Sequence, residues 1–421
     1  MREMKDSDVE WIGQIPKDWS ISPLKYNYEV VAGATPESSK SDYWDGDIVW
    51  ITPADFKTRD VYVEKGSRYI TKLGFDSCST SIIPKGNIIF SKRAPIGSVV
   101  INSKDLCTNQ GCLSCINKDI NVNNKYYYYI LSIYTDVFEL FGSGTTFKEI
   151  SGNVFSNIIL PYPCVEVQNR IVNFLDEKCS ELDTLTSDIQ KQIDTLEQYK
   201  KAVITETVTK GLNPDVEMKD SGVEWVGKIP NHWSIEKGKY ILKYMQKPVK
   251  ETDEIITCFR DGEVTLRSNR REDGFTISDK EIGYQGIDIG DLVVHGMDGF
   301  AGAIGVSDSR GKASPVLNVL DTENNKKYIM YYLRSMAYSN VFLAIATGIR
   351  VRSCDLRWNK LAELLYPVPP ISEQNKIVEY IDNILQKADE IIADKKKQLE
   401  VITEYKRSLI YEYVTGKKEV M

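Results

Sequence analysis

The chain has 421 residues, 42% hydrophobic and 27% charged, with a formal net charge of -7. This composition is typical of a globular protein of two or three domains and excludes the disordered and fibrous classes. The polar, acidic start MREMKDSDVEW is unlike a signal peptide, and no apolar run approaches the roughly 20 residues of a membrane span. The sequence therefore predicts a cytoplasmic protein that does not enter a membrane.

Eight cysteines are scattered without regular spacing, which predicts reduced thiols rather than a disulfide framework. Cys107, Cys112 and Cys115 lie close together in CTNQGCLSC and raise the alternative of a zinc site. A structural zinc ion needs about four ligands, yet there is no second CxxC, and His232 and His295 are the only histidines. Buried cysteines are expected instead, with no metal in this chain.

Two stretches of the sequence occur twice. MKDSDVEWIGQIPKDWSI at 4–21 and MKDSGVEWVGKIPNHWSI at 218–235 are identical at 13 of 18 positions. Residues 161–209 and 367–415 share 17 identities in 49 aligned positions, including Gln168 with Gln374. The chain is therefore interpreted as two copies of one unit, each a globular segment followed by a long segment of mixed polarity.

Both long segments are predicted to be helices, because apolar residues recur mostly three, four or seven positions apart without an internal proline or glycine. About 45 residues at 1.5 Å each make a rod of roughly 65 Å, whose apolar stripe needs a partner. We expect the two rods to pair, and antiparallel pairing would put the globular units at opposite ends. The predicted seam comprises Leu175, Leu182, Leu185, Ile189, Ile193, Leu196, Tyr199 and Val203, and Ile381, Ala388, Ile391, Leu399, Ile402, Tyr405 and Leu409.

The junctions between the copies are similar in length. Thr209 to Met218 is nine steps, and Thr415 to Met4 would be ten if Met421 were joined to Met1. The sequence is interpreted as a ring opened at one of two equivalent junctions, which predicts an internal pseudo-two-fold and chain ends that lie close together.

The globular segments share a plan but differ in detail. Short apolar runs separated by glycine and proline predict strands, and KYYYYILSIYTDVFELF and KKYIMYYLRSMAYSNVFLAIA predict helices. Four successive tyrosines, 126–129, could stack on bases, but packing is the favoured interpretation because they point all round a helix. Glycines every third residue from Gly296 to Gly305 predict tight turns.

Motifs of catalysis are missing from the sequence: it has no phosphate loop, no HExxH and no Gly-x-Ser-x-Gly. Basic residues concentrate instead in loops of the globular segments, as in FSKRAPIG, FRDGEVTLRSNRR and ATGIRVRSCDLRWNK. Arginine can read guanine edges and lysine neutralises phosphate. The candidate DNA-contacting residues are Lys92, Arg93, Arg267, Arg270, Arg271, Arg350 and Arg352.

An ordered set of motifs resembles the specificity subunit of Type I restriction-modification systems. The set comprises IPxxW near each start, ITPADF, FSKRAPIG, CTNQG, GSGTTFKEIS with its counterpart TGIRVRS, and PxPxxxxQNxIV before each long helix. Gln168 and Gln374 stand at the family's EQ-like position, after Val167 in one copy and Glu373 in the other. The resemblance covers nearly the full length.

The resemblance implies an α+β fold with two pseudo-symmetric target-recognition domains, separated by two long helices that form an antiparallel coiled coil. The expected regions are a first target-recognition domain at 1–160, a central helical region at 161–215, a second target-recognition domain at 216–366 and a C-terminal helical region at 367–421.

The resemblance also implies a non-catalytic subunit whose partners are double-stranded DNA, two modification (methyltransferase) subunits and restriction subunits. Each domain would read one half of a bipartite, asymmetric site, and the helix pair would fix the spacer and dock the modification subunits. No cofactor is expected in this chain, since S-adenosylmethionine and ATP with Mg²⁺ would belong to the partners. Two alternatives stay open: a nuclease or methyltransferase in its own right, and a coiled-coil adaptor with two protein-binding heads.

Overall fold

The computed structural model describes residues 2–56, 61–93, 95–143, 148–270, 281–345 and 356–420. Two compact units are present: the first comprises Met1–Asp188 and Lys397–Met421, and the second comprises Ile189–Lys396. Their boundaries fall within both long helices, α6 (Val165–Lys210) and α11 (Ile371–Val414). Among the described residues, no helix is both long and apolar enough to cross a membrane. The four regions expected from the repeat, which end at 160, 215, 366 and 421, stay a prediction.

The first unit is built on a five-stranded sheet of order β4-β11-β8-β9-β6 and a three-stranded sheet of order β10-β5-β7, with the pairs β1-β2 and β12-β3 beside them. Neighbouring strands are antiparallel except β5 with β10 and β6 with β9. In chain order the elements are β1 (Met4–Asp6), β2 (Gln14–Pro16), β3 (Ser20–Pro23), α1 (Leu24–Asn27), β4 (Tyr28–Ala32), β5 (Trp44–Ile51), β6 (Tyr62–Val63), β7 (Arg68–Ile70), α2 (Lys72–Asp76), β8 (Ile88–Ser91), β9 (Val99–Asn102), β10 (Cys107–Thr108), β11 (Cys112–Asn117), α3 (Asn124–Ile133), α4 (Thr135–Phe141), α5 (Gly152–Ser156) and β12 (Ile159–Tyr162).

The second unit repeats this plan around a four-stranded antiparallel sheet of order β16-β23-β20-β21, whose strands correspond to β4, β11, β8 and β9. The pairs β13-β14 and β15-β24 correspond to β1-β2 and β12-β3. Its elements are β13 (Met218–Asp220), β14 (Lys228–Pro230), β15 (Ser234–Lys237), α7 (Gly238–Ile241), β16 (Lys243–Met245), β17 (Ile256–Cys258), β18 (Val264–Leu266), β19 (Gln285–Ile287), β20 (Leu292–His295), β21 (Ile304–Val306), β22 (Gly311–Ala313), β23 (Leu317–Asp321), α8 (Lys326–Tyr338), α9 (Val341–Ala344), α10 (Trp358–Leu361) and β24 (Leu365–Val368).

A buried glutamine fastens the start of each long helix to its sheet. In the first unit, the Gln168 carboxamide accepts from the Asn123 backbone N–H at 2.8 Å and donates to the carbonyls of Asn121 and Pro163. In the second unit, Gln374 accepts from the Asn325 N–H at 2.9 Å and donates to the Pro369 carbonyl and to the Asn324 side chain. The repeated Gln-Asn pair is therefore a structural clamp.

The tyrosine-rich helices complete this clamp. Tyr129 donates to Asp176 at 2.6 Å, and Tyr331 donates to Asp382 at 2.5 Å. Tyr126 is fully buried and donates to the Val414 carbonyl near the end of α11. The prediction that the tyrosines pack is confirmed, because Tyr126, Tyr127, Tyr129, Tyr328, Tyr331 and Tyr332 are all buried.

The long helices run antiparallel within each unit. In the first unit, Asp183 pairs with Lys406 at 2.6 Å, and the Phe174 ring lies 4.4 Å from that of Tyr413. In the second unit, Lys200 pairs with Asp389 at 2.5 Å. The predicted antiparallel pairing is confirmed.

The predicted seam is wrong at four positions. Leu185, Tyr199, Ile391 and Tyr405 are 46% to 56% exposed. In each long helix the heptad pattern continues instead through the position next to the predicted one, and three of these four positions are polar, so apolar spacing alone selected the wrong neighbours. The residues that take these places are Thr186, Lys200, Ile392 and Lys406.

The two junctions have the same construction. Gly211, with φ of +74°, follows α6 against Trp233, and Gly416, with φ of +71°, follows α11 against Trp19. A Cβ at Gly416 would lie 2.5 Å from the Pro16 ring, so only glycine fits there. The Lys417 ammonium also donates to the Ile12 carbonyl at 2.8 Å, which places the chain's last residues beside its opening motif.

Replacing the clamp glutamine should destabilise the second unit. Gln374→Ala removes the partner of the part-buried Asn325 N–H and of the buried Pro369 carbonyl, which we expect to cost about 2 to 4 kcal/mol. Gln386→Ala is the matched control, since Gln386 is exposed on the same helix and donates to the exposed Glu390 side chain. Urea denaturation followed by circular dichroism measures both, and equal midpoints for the two variants would contradict the clamp.

Because the two junctions are equivalent, we predict that the protein still folds when its chain ends are moved from one junction to the other. In a circular permutant, a short linker joins Met421 to Met1 and the chain begins at Gly211. We expect it to fold with the parent's circular dichroism spectrum and a thermal midpoint within a few degrees. A permutant opened within β8, which is fully buried, should not fold and serves as the control. Failure of the Gly211 permutant would refute the ring interpretation.

Candidate DNA interface

The hairpin between β8 and β9 presents two of the predicted cations. The Lys92 backbone N–H donates to the Gly111 carbonyl at 3.0 Å, and the Lys92 carbonyl accepts from the Ile150 N–H at 3.1 Å. The Ser91 hydroxyl is hydrogen-bonded to the carbonyls of Arg93 and Pro95, at 3.0 and 2.8 Å. The sheet therefore fixes the backbone at the start of this loop.

Both cations of this loop face one carboxylate. The Lys92 ammonium lies 2.6 Å from Glu149, and a guanidinium nitrogen of Arg93 lies 4.0 Å from the other oxygen of the same carboxylate. The Lys92 side chain is only 15% exposed, whereas that of Arg93 is 37% exposed. The structure thus brings Lys92 and Arg93 together, as an ion-pair cluster rather than as free charges.

The hairpin between β20 and β21 is the equivalent loop of the second unit. The Gly296 N–H donates to the Val316 carbonyl at 2.8 Å, and the Gly296 carbonyl accepts from the Leu356 N–H at 2.9 Å, as Lys92 does in the first unit. Gly296 therefore corresponds to Lys92, and Met297 corresponds to Arg93. The Met297 side chain is 46% exposed. The two units thus have the same hairpin backbone but different side chains at its tip, basic in the first unit and apolar in the second.

A histidine side chain accepts two backbone hydrogen bonds within the second hairpin. The His295 Nδ1 accepts from the backbone N–H groups of Met297 and Asp298, at 3.2 and 2.9 Å. Burial lowers the pKa of His295, against an opposing influence of the Asp298 carboxylate. The imidazole is therefore neutral at physiological pH, as an acceptor of two N–H groups must be. His295 thus bonds the N–H groups of its loop, whereas the equivalent Ser91 bonds the carbonyls of the first loop.

Two predicted cations of the second unit, Arg267 and Arg270, follow β18. Arg270 contacts Asp261 at 2.6 Å and Glu263 at 3.0 Å, and its guanidinium lies 4.1 Å above the Phe259 ring. Arg267 lies in the turn after β18, with its Nε 3.4 Å from the Thr257 hydroxyl. Arg271, Arg350 and Arg352 lie outside the described residues, so their assignment stays a prediction.

Sequence reasoning missed Glu149, His295, Met297 and Asp298. Basic residues were the only signal used, so an acidic partner and an apolar tip went unnoticed. The glycine run 296–305 marked the second hairpin as tight turns, and aligning it with FSKRAPIG would have pointed to Met297. That alignment needs the sheet register, because the two loops share little sequence.

The clustered cysteines are separated by the fold. Cys115 packs in the main core of the first unit, Cys112 in the core on the other face of the same sheet, and Cys107 in a third cluster with Trp44. Burial raises the pKa of Cys107 to about 11 and those of Cys112 and Cys115 further. Three neutral thiols that face different clusters cannot jointly bind zinc, so the alternative of a zinc site is not supported.

Comparison with known proteins agrees with the shared plan of the two units. Residues 16–195 match the family model described as the Type I restriction modification DNA specificity domain. The MjaIX Type I restriction enzyme specificity subunit of Methanocaldococcus jannaschii is 39% identical over 199 residues, which are 47% of this chain and 44% of that protein. The MjaVIII specificity subunit of the same organism is 24% identical over 97% of this chain and 94% of that protein.

Two solved structures share the fold. A chain from a study of complex assembly and conformational transition in the type I R-M system superposes over 95% of this chain and 98% of that chain, with a TM-score of 0.69 at 14% identity. The HsdS subunit of Thermoanaerobacter tengcongensis superposes over 96% of this chain and 98% of its own, with a TM-score of 0.51 at 13% identity. The sequence of residues 16–195 thus matches the specificity domain, and the fold of the chain is shared with the two solved chains. The predicted resemblance and the predicted fold class are confirmed.

Lys92 is expected to contact phosphate rather than a base. Lys92→Ala should weaken binding of the full chain to every duplex alike and reduce the slope of log K against log salt by about 1. Lys178→Ala, on the exposed face of α6, is the control and should change neither quantity. Fluorescence anisotropy with several unrelated duplexes measures both. A loss confined to one sequence would contradict the phosphate role.

Proposed function

We propose that the chain is the DNA sequence-specificity subunit of a Type I restriction-modification complex. Each target-recognition domain reads one half of a bipartite, asymmetric site, and the helix pair sets the spacer and docks two modification subunits. The proposal is supported mainly by one comparison between the two units. Both units have the same sheet, the same glutamine clamp and the same hairpin backbone. Their hairpin tips differ, with Lys92 and Arg93 in the first unit and Gly296 and Met297 in the second. A repeated scaffold with different tips suits two readers of different half-sites.

The chemistry of the two tips predicts different modes of reading. Lysine and arginine contact phosphate and guanine edges, whereas an exposed methionine suits an apolar contact such as a thymine methyl group. Two readers on one face of a duplex need centres about one helical turn apart, roughly 34 Å, or a multiple of that distance. A split recognition site with a fixed gap follows from this arrangement.

The chain is proposed to recognise DNA and not to transform it. S-adenosylmethionine and the methyl-transfer residues belong to the modification subunits, and ATP with Mg²⁺ belongs to the restriction subunits. The net charge of -7 supports dependence on such partners, because an acidic chain supplies little phosphate attraction by itself. The complex is expected to act on cellular DNA in the cytoplasm.

Modified-base sequencing tests the proposal directly. DNA is taken from cells that express this chain with its modification subunit, and cells that express the modification subunit alone are the control. We expect methylation at one motif made of two short halves and a constant gap, only where the chain is present. Methylation of one continuous site would contradict the proposed spacer.

The same experiment separates the proposal from the adaptor alternative. If the modification subunit is present and active on another target but no motif depends on this chain, the adaptor is favoured. Binding to DNA at low salt in the presence of the modification subunit is the second measurement. An adaptor would leave DNA affinity unchanged.

A further inference from the structure

Backbone hydrogen bonds hold the acidic residue Glu149 beside the cationic tip of the first unit. Glu149 and Ser143 exchange two backbone hydrogen bonds at 3.0 Å, and the following Ile150 N–H bonds the Lys92 carbonyl at 3.1 Å. The segment that carries Glu149 is therefore fastened to the loop that carries Lys92 and Arg93. The backbone of Glu149 is thus held beside this loop, and from there its side chain reaches both cations.

The second unit has the same pairing of charges, made from different residues. Asp298 lies on the hairpin equivalent to that of Lys92, and its carboxylate accepts from the Arg260 guanidinium at 3.0 Å. Arg270, the other predicted cation with described charged partners, lies against Asp261 and Glu263. Both units thus hold an acidic group against a cation at the proposed DNA-binding loops.

A carboxylate in this place competes with DNA phosphate. Non-specific binding consists almost entirely of phosphate contacts, so it bears the whole cost of displacing Glu149 from Lys92. Specific binding recovers that cost from base contacts, which a random sequence does not offer. A repulsive or competing group therefore widens the difference between the two affinities.

We propose that Glu149 is a specificity-determining residue: in the free chain its carboxylate occupies the place of a DNA phosphate on Lys92 and Arg93, and this suppresses non-specific binding. The inference rests on the proposed function and adds a carboxylate to a site described so far by its cations. DNA binding then exchanges one anion for another on Lys92.

Glu149→Gln tests this inference. The full-length variant should bind a random 30-base-pair duplex about threefold to tenfold more tightly than the parent, with a salt slope steeper by about 1, because one or two phosphate contacts become available. Affinity for the methylated motif should rise less, so the ratio of specific to non-specific affinity falls. Glu177→Gln is the matched control, since it removes the same charge from an exposed position on α6 beside Lys178.

A second pair of variants excludes a general effect of charge. In the Lys92→Gln background, adding Glu149→Gln should give a markedly smaller gain in affinity than in the parent, because the main partner of the carboxylate is gone. An equal gain in both backgrounds would overturn the inference. So would a change confined to one base pair of the motif, which would make Glu149 a base reader. Thermal unfolding confirms that each variant remains folded.

Failure of the inference is distinguishable from failure of the proposed function. If the chain directs methylation to a split motif but Glu149→Gln alters neither the non-specific affinity nor its salt slope, only the inference falls. If no motif depends on the chain and the parent shows no salt-dependent DNA binding, the proposed function falls, and the inference falls with it.

Discussion

The architecture depends on one buried carboxamide in each unit. A glutamine side chain offers one acceptor and two donors, and those of Gln168 and Gln374 are all used at the point where a long helix leaves its sheet. Leaving such groups unpaired inside a protein costs more than their bonds contribute. The first turn of each helix therefore has a single favourable placement. The tyrosine hydroxyls on Asp176 and Asp382 extend the attachment by roughly two turns along the helix.

Polar residues within the helix seam have a comparable effect on the pairing. Lys200 and Lys406 occupy heptad positions where leucine would pack more easily, and each ammonium is matched to a carboxylate on the facing helix. A buried polar residue in a coiled coil reduces stability but fixes register, since any slip separates it from its partner. In the proposed role of the helix pair, which is to set the distance between two half-sites, a fixed register matters more than maximal stability.

Much of the fold was predictable because repetition and apolar periodicity are both visible in the sequence. The two long helices, their antiparallel pairing and the packing of Tyr126 and its neighbours followed from these patterns. The seam was misjudged because polar Thr186 and Lys200 stand where the pattern favoured Leu185 and Tyr199. In the candidate site, cationic loops were found by composition, but Glu149 and Met297 were not. Their relevance comes from hydrogen bonds between strands that are far apart in the sequence.

The hairpin backbone has a consequence for how such a protein evolves. Lys92 and Gly296 make the same two main-chain hydrogen bonds, so this part of the framework is indifferent to the side chain at that position. The residue can change without loss of those bonds, and it differs between the two halves, being lysine in the first and glycine in the second. Under the proposed function, a point substitution at one hairpin changes the target of that half while the other half keeps its preference. In that proposal, the side-chain atoms at this position set the target, while the main-chain atoms of the same residue preserve the fold.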